Sequence, residues 1–394
     1  MRVVAKFGGT SLGNGDRVNR AADSIADAVN EGHEVAVVAS AMGSTTDFLL
    51  DAITFEADEA DEAEIVSMGE RTSVRMLKAA LGARGIDAKF LEPGTEDWPV
   101  ITDEHGQVDV EETKRRAKQL AADMAAKGYV PVLTGFLAQD HAGNVTTLGR
   151  GGSDTTAVML GNYMDAEEVV IITDVEGVMT GDPRVVEGAR NVGEITVDEL
   201  RNLSFRGAEV VAPSALSYKT GEMVVRVAHY QHGDLLDGGT KIEGQFENLI
   251  DMREEPLACL TAAGRAIRNT PGVLSDLSAV LADADINVDA VSSGMDSISF
   301  YVDAAVAERA ENVLHQAVID LNEVSSVTVD SDVAVLRITG GEASGQSALL
   351  EDVVVPLADE HVEILDLITS ATSIAVFLEW DDREDALELI QDAV

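Results

Sequence analysis

The 394-residue sequence predicts an α/β domain built on a mostly parallel sheet with helices on both faces, followed by a pair of ferredoxin-like α+β units. Three observations carry this expectation. Short, largely apolar runs such as VAVVAS (35–40) and VVIITDV (169–175) read as strands covered on both faces, as parallel strands are. Between them lie segments of helix formers with apolar residues near a 3.6-residue spacing. After a glycine-rich stretch at 233–244 the rhythm changes to strand, helix, strand, strand, helix, strand over about 70 residues, a ferredoxin-like order.

In the first unit VVAKF (3–7) is the opening strand, and GGTSLGNGD leads into a helix near 16–31. VAVVAS is the second strand, and MGSTTDF opens another helix. A helix near 66–83, a strand near 86–91, a helix over 111–127 and the strand YVPVLTGF (129–136) come next. The loop GRGGSD then precedes a helix at 154–163, the strand VVIITDV, a helix around 196–204 and the strand VVRVAH (224–229). In the second unit LACLTAA (257–263), GVLSDLSAVLADA, INVDAVSS, SISFYVD, AERAENVLHQAVIDL and VSSVTVD make one ferredoxin-like copy. VAVLRIT (333–339), a helix near 346–359, VEILDLI, SIAVFLE and DREDALELIQDAV make a second copy that stops at its second helix. A sheet ended there leaves an apolar face open, so a strand from elsewhere is expected, and ENLIDM (247–252) is the best placed. The expected domains are 1–243, a first copy at 257–330, and a second, interleaved copy formed by 247–252 with 332–394.

The formal charge of −43 comes from 71 acidic against 28 basic side chains, in clusters such as EADEADEAE (56–64), DEHGQVDVEE (103–112) and DDREDALE (381–388). Such a field repels phosphate backbones, which argues against nucleic acid as a partner. An acidic shell on a chain that is 45% hydrophobic suits concentrated salt, where self-repulsion is screened, and resembles the composition of proteins from extreme halophiles. No apolar run approaches the roughly 18 residues of a membrane span. MRVVAKFGG runs straight into a strand without the features of a secretory signal, so no membrane association and a cytoplasmic location are expected. The single cysteine, Cys259, has no internal disulfide partner and reads as a structural thiol in a buried strand.

Three loops fall at strand C-terminal ends, where open parallel sheets place ligands. In KFGGTS (6–11) paired glycines let backbone N–H groups approach phosphate oxygens, and Lys6 can reach a phosphoryl group; the same residues also suit a structural turn. The loop is neither a Walker A sequence nor a GxGxxG fingerprint. In TLGRGGSDTTA (147–157), Gly151 and Gly152 permit a tight turn and Arg150 offers a planar fork for a carboxylate or phosphate. Asp154 there either caps the following helix or serves a site. In IITDVEGVMTGDPR (171–184) an apolar strand opens into Thr173, Asp174, a glycine turn and Asp182-Pro183-Arg184, where a basic residue can face phosphate or solvent.

Taken together, KFGGTSL, SAMGSTTDFL (40–49), SMGER (67–71), TTLGRGGSDTTA and TDVEGVMTGDPR resemble, in order and spacing, the aspartate kinases of the amino-acid kinase family, and the likeness covers essentially the whole chain. The resemblance implies an amino-acid kinase fold and ATP-dependent phosphorylation of the side-chain carboxylate of L-aspartate to 4-phospho-L-aspartate, the first step toward lysine, threonine and methionine. It implies Lys6, with the backbone of Gly8 and Gly9, as the stabiliser of the transferring phosphoryl group, and Asp154 as the organiser of the catalytic groups. Glu70 is similar to the residue that receives the substrate's α-ammonium, and Arg150 to the one that grips its carboxylate, with Ser40 and Thr46 lining the same pocket. Thr173, Asp174, Met179, Asp182 and Arg184 resemble the nucleotide side. A carboxylate is already an anion at neutral pH and needs no strong base. The difficulty is bringing two anions together, which Lys6, backbone amides and Mg²⁺ meet electrostatically. Mg²⁺ is expected to bind through ATP phosphates and waters, so no protein ligand is named.

The family usually has Gly-Ala-Lys-Val followed by His-Pro; this chain has GAEVVAPSAL (207–216), with Glu209 and Ala212 at the lysine and histidine. Arg206 is the candidate replacement cation, and Met179 stands where an aromatic is common. The C-terminal pair resembles ACT domains, which sense free amino acids. RNTPGVLSDLSAVLADADINVDAVSS (268–293) carries that likeness, with Pro271, Gly272, Val273 and Asn287 as effector-site residues, although Asn287 equally suits a turn. Lysine or threonine is the implied effector, and a homodimer or higher homo-oligomer through the ACT domains the implied assembly. Glu209 keeps open a kinase-like subunit with weak or no activity that senses an amino acid. A related kinase acting on another carboxylate is the second alternative, against which Glu70 and Arg150 together favour a zwitterionic acid.

Overall fold

The computed structural model describes the chain except residues 104, 183–184, 205–209, 246–248, 322, 340–344, 371–372 and 394; of 59, 201–202, 204, 249, 320 and 345–349 it describes the backbone alone. Arg184, Arg206 and Glu209 therefore lie outside the described residues. The chain forms two compact units, 1–246 and 247–394.

The strands of the first unit are β1 (Arg2–Phe7), β2 (Glu34–Ala39), β3 (Ala88–Leu91), β4 (Ile101–Thr102), β5 (Val130–Thr134), β6 (Leu137–Asp140), β7 (Val145–Thr147), β8 (Glu168–Thr173), β9 (Glu194–Thr196), β10 (Val224–His229) and β11 (Thr240–Glu243). Its helices are α1 (Gly15–Asn30), α2 (Thr45–Ala52), α3 (Glu59–Gly82), α4 (Val110–Lys127), α5 (Gly152–Tyr163), α6 (Val197–Ser204) and the short α7 (Pro213–Leu216). Eight strands make one sheet in the order β3-β5-β2-β1-β8-β10-β11-β9, parallel throughout except between β10 and β11. Successive residues of β1 enter opposite cores. Val3, Ala5 and Phe7 pack with α1 and α3, whereas Val4 joins Ala36, Val38 and the α4–α5 side. Each fully buried Val or Ile contributes about 1.5–3 kcal/mol, which is why these strands are apolar without alternation. From β1 the chain passes to β2 on one side, and β8 later joins on the other. The point where strand order reverses therefore lies at the C-terminal end of β1.

Two features differ from expectation. Helix α3 begins at Glu59, well before 66, because the Asp58 carboxylate caps it by accepting the Asp61 N–H at 2.8 Å, and acidic first turns suit the helix dipole. Strands β4, β6 and β7 form a small separate sheet, too short to stand out as apolar runs.

The second unit contains β12 (Leu249–Met252), β13 (Leu257–Ala263), β14 (Ala290–Ser293), β15 (Ser297–Asp303), β16 (Ser326–Thr339), β17 (Ile364–Thr369) and β18 (Ser373–Glu379), with helices α8 (Val273–Asp283), α9 (Ala307–Asp320), α10 (Gly345–Asp359) and α11 (Arg383–Ala393). They form one sheet, β14-β15-β13-β16-β18-β17, and β12 pairs antiparallel with the far end of β16, from Leu249 opposite Thr339 to Met252 opposite Leu336. VSSVTVD and VAVLRIT, expected as two strands, are the single 14-residue β16. Its first half pairs with β13 and its second with β18. No glycine or proline interrupts SVTVDSDVAVLRIT, so the strand runs on through the junction, although the β13 ladder shifts register there, between Asp330 opposite Cys259 and Val333 opposite Leu257. Cys259 is half-buried, its sulfur 3.6 Å from Thr261 Oγ1. Asn287 precedes β14 in an irregular, exposed segment and is not part of the strand. Among the described residues no helix is long and apolar enough to cross a membrane.

Candidate functional site

Lys6 lies one residue before the end of β1, and its Nζ is 2.6 Å from Asp154 Oδ1 in an ion pair whose side chains are only 12% and 15% exposed. The second Asp154 oxygen accepts the Ala212 N–H at 3.2 Å. Asp154 is in the first turn of α5, but that helix is capped by Gly151, in the left-handed region at φ +74°, without a side-chain bond. A Cβ on Gly151 would also come within 2.3 Å of Ala212 Cβ. The Asp154 carboxylate is thus not spent on capping. It ties β1, α5 and the segment before α7 together around the lysine ammonium.

One cleft, with a cavity volume of ≈ 340 Å³, is lined by Lys6, Gly9, Ser40, Thr46, Glu70, Arg150 and Asp154 together with Ser44, Asp47, Phe136 and the chain at 149–153. Five segments far apart in sequence supply it: the end of β1 with its loop, the loops after β2, β5 and β7, and α3, which carries Glu70. Glu70 is 3% exposed. Its Oε1 accepts the Ala41 N–H at 3.2 Å, while Oε2 is buried and, among the described residues, without a partner. Burial pushes its carboxyl up to about 7, because removing water penalises the charged form. An ammonium group delivered there would satisfy Oε2 and draw the carboxyl back to its charged form. Arg150 is exposed and contributes the guanidinium of the cleft.

Gly8 departs from its expected role. It does not line the cleft, and its N–H donates to Ile172 O at 3.0 Å, so the sheet consumes a donor meant for phosphate. Gly9 does line the cleft. Thr173 ends β8, the strand beside β1, and its hydroxyl donates to Asp174 Oδ1 at 3.3 Å. Met179 is half-buried and bridges to Asn191, and Asp182 O accepts the Val185 and Val186 N–H groups in the following turn. These residues follow β8 and do not line the cleft.

Sequence reasoning missed Asp47, Ser44 and Phe136. Asp47 sits in the first turn of α2 and reads as a helix-dipole residue, while Phe136 holds φ +67°, a backbone state the sequence does not announce. It also missed a group beside Thr173. His232 Nε2 is 2.7 Å from Glu176 Oε2, and the His229 ring lies 4.5 Å from that of Tyr230. The available signal was the position of the histidines at and just past the end of the apolar strand VVRVAH. Of the expected effector residues, Val273 is a core residue at 3% exposure, Gly272 caps α8, and Pro271 and Asn287 are exposed.

The model of the amino acid kinase family matches residues 1–229, and that of an ACT domain matches residues 260–318. The chain is 29% identical over 414 residues to an aspartokinase of Helicobacter pylori, covering 99% of this chain and 98% of the relative. It is 30% identical over 407 residues to aspartokinase 2 of Bacillus subtilis, covering 99% and 97%. The crystal structure of an aspartate kinase from Synechocystis superposes with a TM-score of 0.79 at 27% identity, over 99% of this chain and 69% of that one. Family model, full-length relatives and fold agree with the loops around Lys6 and Asp154: the chain belongs to the amino acid kinase family, among its ACT-bearing aspartokinases.

Proposed function

We infer that the chain transfers the terminal phosphoryl group of ATP to the side-chain carboxylate of L-aspartate, giving 4-phospho-L-aspartate and ADP, the first step of the aspartate-family pathway to lysine, threonine and methionine. The observation that supports this best is a single cleft that joins a held lysine ammonium to a buried carboxylate with one unpartnered oxygen. Glu70 Oε2 receives the α-ammonium of the substrate, Arg150 its α-carboxylate, and Ser40 and Thr46 supply hydroxyls beside them. The β-carboxylate oxygen then forms a bond to the γ-phosphorus as the bond to the bridging oxygen breaks, and that electron pair leaves with ADP. Lys6 balances charge on the equatorial oxygens, and Asp154 keeps its ammonium aimed. The positive end of the α5 dipole, where Gly152 and Ser153 line the cleft, faces the same negative charge.

Gly9, Thr173, Asp174, Met179 and Asp182 take the nucleotide in this reading, with Arg184 and Arg206 as further candidates. Mg²⁺, arriving with ATP, supplies charge neutralisation between the phosphates. The cleft carboxylates of Asp154 and Glu70 are engaged by Lys6 and the Ala41 N–H, so we assign neither to the metal. Full-length protein in molar salt with ATP, Mg²⁺ and L-aspartate should form an acyl phosphate that hydroxylamine traps as the hydroxamate. Absence of product with aspartate, while another carboxylate reacts, would overturn the substrate assignment.

The C-terminal unit is read as the sensing module, with domain limits at 1–243, 257–330, and 247–252 with 332–394; the pairing of β12 with β16 supports the interleaved third part. Exposed Pro271 and Asn287 border the proposed effector turn, while Gly272 and Val273 hold its shape. Lysine or threonine is the proposed inhibitor, a homodimer or larger homo-oligomer through the ACT domains the proposed assembly, and the cytoplasm the proposed location. Titrating the assay with lysine, threonine and methionine tests the first of these; no response to any would leave the unit as an assembly element.

A further inference from the structure

We propose that Gly69 and Ala41 are positioning residues for this reaction, the close contact between them setting how near the Glu70-bearing helix comes to the phosphate-side loop. The inference rests on the reading of Glu70 as the ammonium acceptor. Gly69 lies in the interior of the 24-residue α3, where glycine costs about 1 kcal/mol relative to alanine. Its φ is not positive, so no turn or left-handed conformation accounts for it. What its missing side chain provides is proximity. A Cβ at 69 would stand 2.7 Å from Ala41 Cβ and 3.6 Å from Thr45 Cγ2. Carbon atoms pack at about 3.5–4.0 Å, so the first of these contacts leaves no room for a methyl group.

The same short segment is held from the other side. Gly43 N–H donates to Gly9 O at 2.9 Å, and a Cβ on Gly9 would come within 2.8 Å of both Ala41 O and Gly43 O. Residues 41–43 are therefore clasped between the backbone of the Lys6 loop and the bare face of α3. The Ala41 N–H is also the group that holds Glu70 Oε1 at 3.2 Å. Through this clasp the position of Gly9, on the phosphoryl side, is transmitted to Glu70, on the substrate side. The clasp thereby fixes the gap the acceptor carboxylate must close. A displacement near 1 Å in such an arrangement costs on the order of 10²-fold in rate.

The test is steady-state kinetics of the full chain in molar salt, with hydroxamate formation as readout and aspartate and ATP varied separately. Gly69→Ala should raise KM for aspartate and lower kcat, together by roughly 10²-fold in kcat/KM, with little change in KM for ATP. Ala41→Gly in the Gly69→Ala background removes the opposing methyl and should return both parameters toward those of the parent. Glu70→Gln separates the two layers of the inference. If it leaves KM for aspartate unchanged, the reading of Glu70 falls and this proposal with it. If it raises KM while Gly69→Ala does not, the proposal alone is wrong. A double variant no better than Gly69→Ala would also overturn it. Should Gly69→Ala fail to fold, the double variant decides: folded with parental KM for aspartate supports the clasp, and unfolded or impaired refutes it.

Discussion

At the N-terminal end of the large sheet, Glu168 of β8 and Arg226 of β10 are both buried and meet at 2.5 Å, with Arg226 Nη1 also donating to Gly238 O at 2.9 Å. Beside them Arg2 pairs with Glu34, and its backbone N–H reaches Glu167. At the C-terminal end Glu70 is buried at least as deeply, yet one of its oxygens has no partner and its carboxyl titrates near neutrality. The same residue type is thus neutralised by an arginine at one end and left incomplete at the other. A charge completed within the chain holds a fold together, whereas one left incomplete at the ligand end is available to a substrate.

Substitutions at the two ends should therefore separate stability from catalysis. The largest effect is expected from Glu168→Gln, which strands Arg226 and should cost about 3–5 kcal/mol in denaturant unfolding, with KM for aspartate unchanged while the protein is folded. A loss well under 1 kcal/mol would mean that the pair is not closed. Lys6→Ala should lower kcat by roughly 10²–10³-fold with the circular dichroism of the fold retained; unchanged turnover would remove its role. Glu70→Gln should act with the opposite sign on stability from Glu168→Gln. The folded-state pKa of Glu70 is raised from 4.5 to about 7, so proton binding stabilises the fold fully below 4.5 and that contribution is lost as pH rises through 7. The glutamine variant escapes this loss and should be more stable by on the order of 3 kcal/mol at pH 8, with no advantage near pH 4. No gain at pH 8 would show that Glu70 is solvated. The smallest effect is a pH profile. Only ionised Glu70 pairs with an ammonium, so kcat/KM for aspartate should fall about tenfold per pH unit below 7, and a flat profile between pH 5 and 8 would break the assignment.

Much of this was legible in the sequence because the signals were local. Apolar runs gave the strands, and glycine-rich loops following them gave Lys6, Arg150 and Asp154, which the fold brings into one cleft. What could not be read depends on residues far apart in the chain. Glu168 and Arg226 are 58 positions apart, and nothing in EVVIIT or VVRVAH announces that their first polar members meet. Gly8 looked like a phosphate donor because its neighbour β8 was unknown, and that neighbour takes its N–H. The boundary drawn inside SVTVDSDVAVLRIT followed the polar DSD, which a strand tolerates where its side chains are exposed. Gly69 carries no signal of its own within SMGER, since a glycine in a helix gains meaning from the Ala41 that approaches it.

The uninterrupted β16 has a mechanical corollary. Because one ribbon of backbone is a member of both ferredoxin-like copies, neither can melt or slide in register without tearing hydrogen bonds from the other. Denaturant should dissolve the C-terminal unit in a single transition, and a protease cutting between the copies would find only the short bulged stretch at 331–332 within one strand and not a tether. An amino acid gripped by one copy would then tighten its sibling through the strand they share.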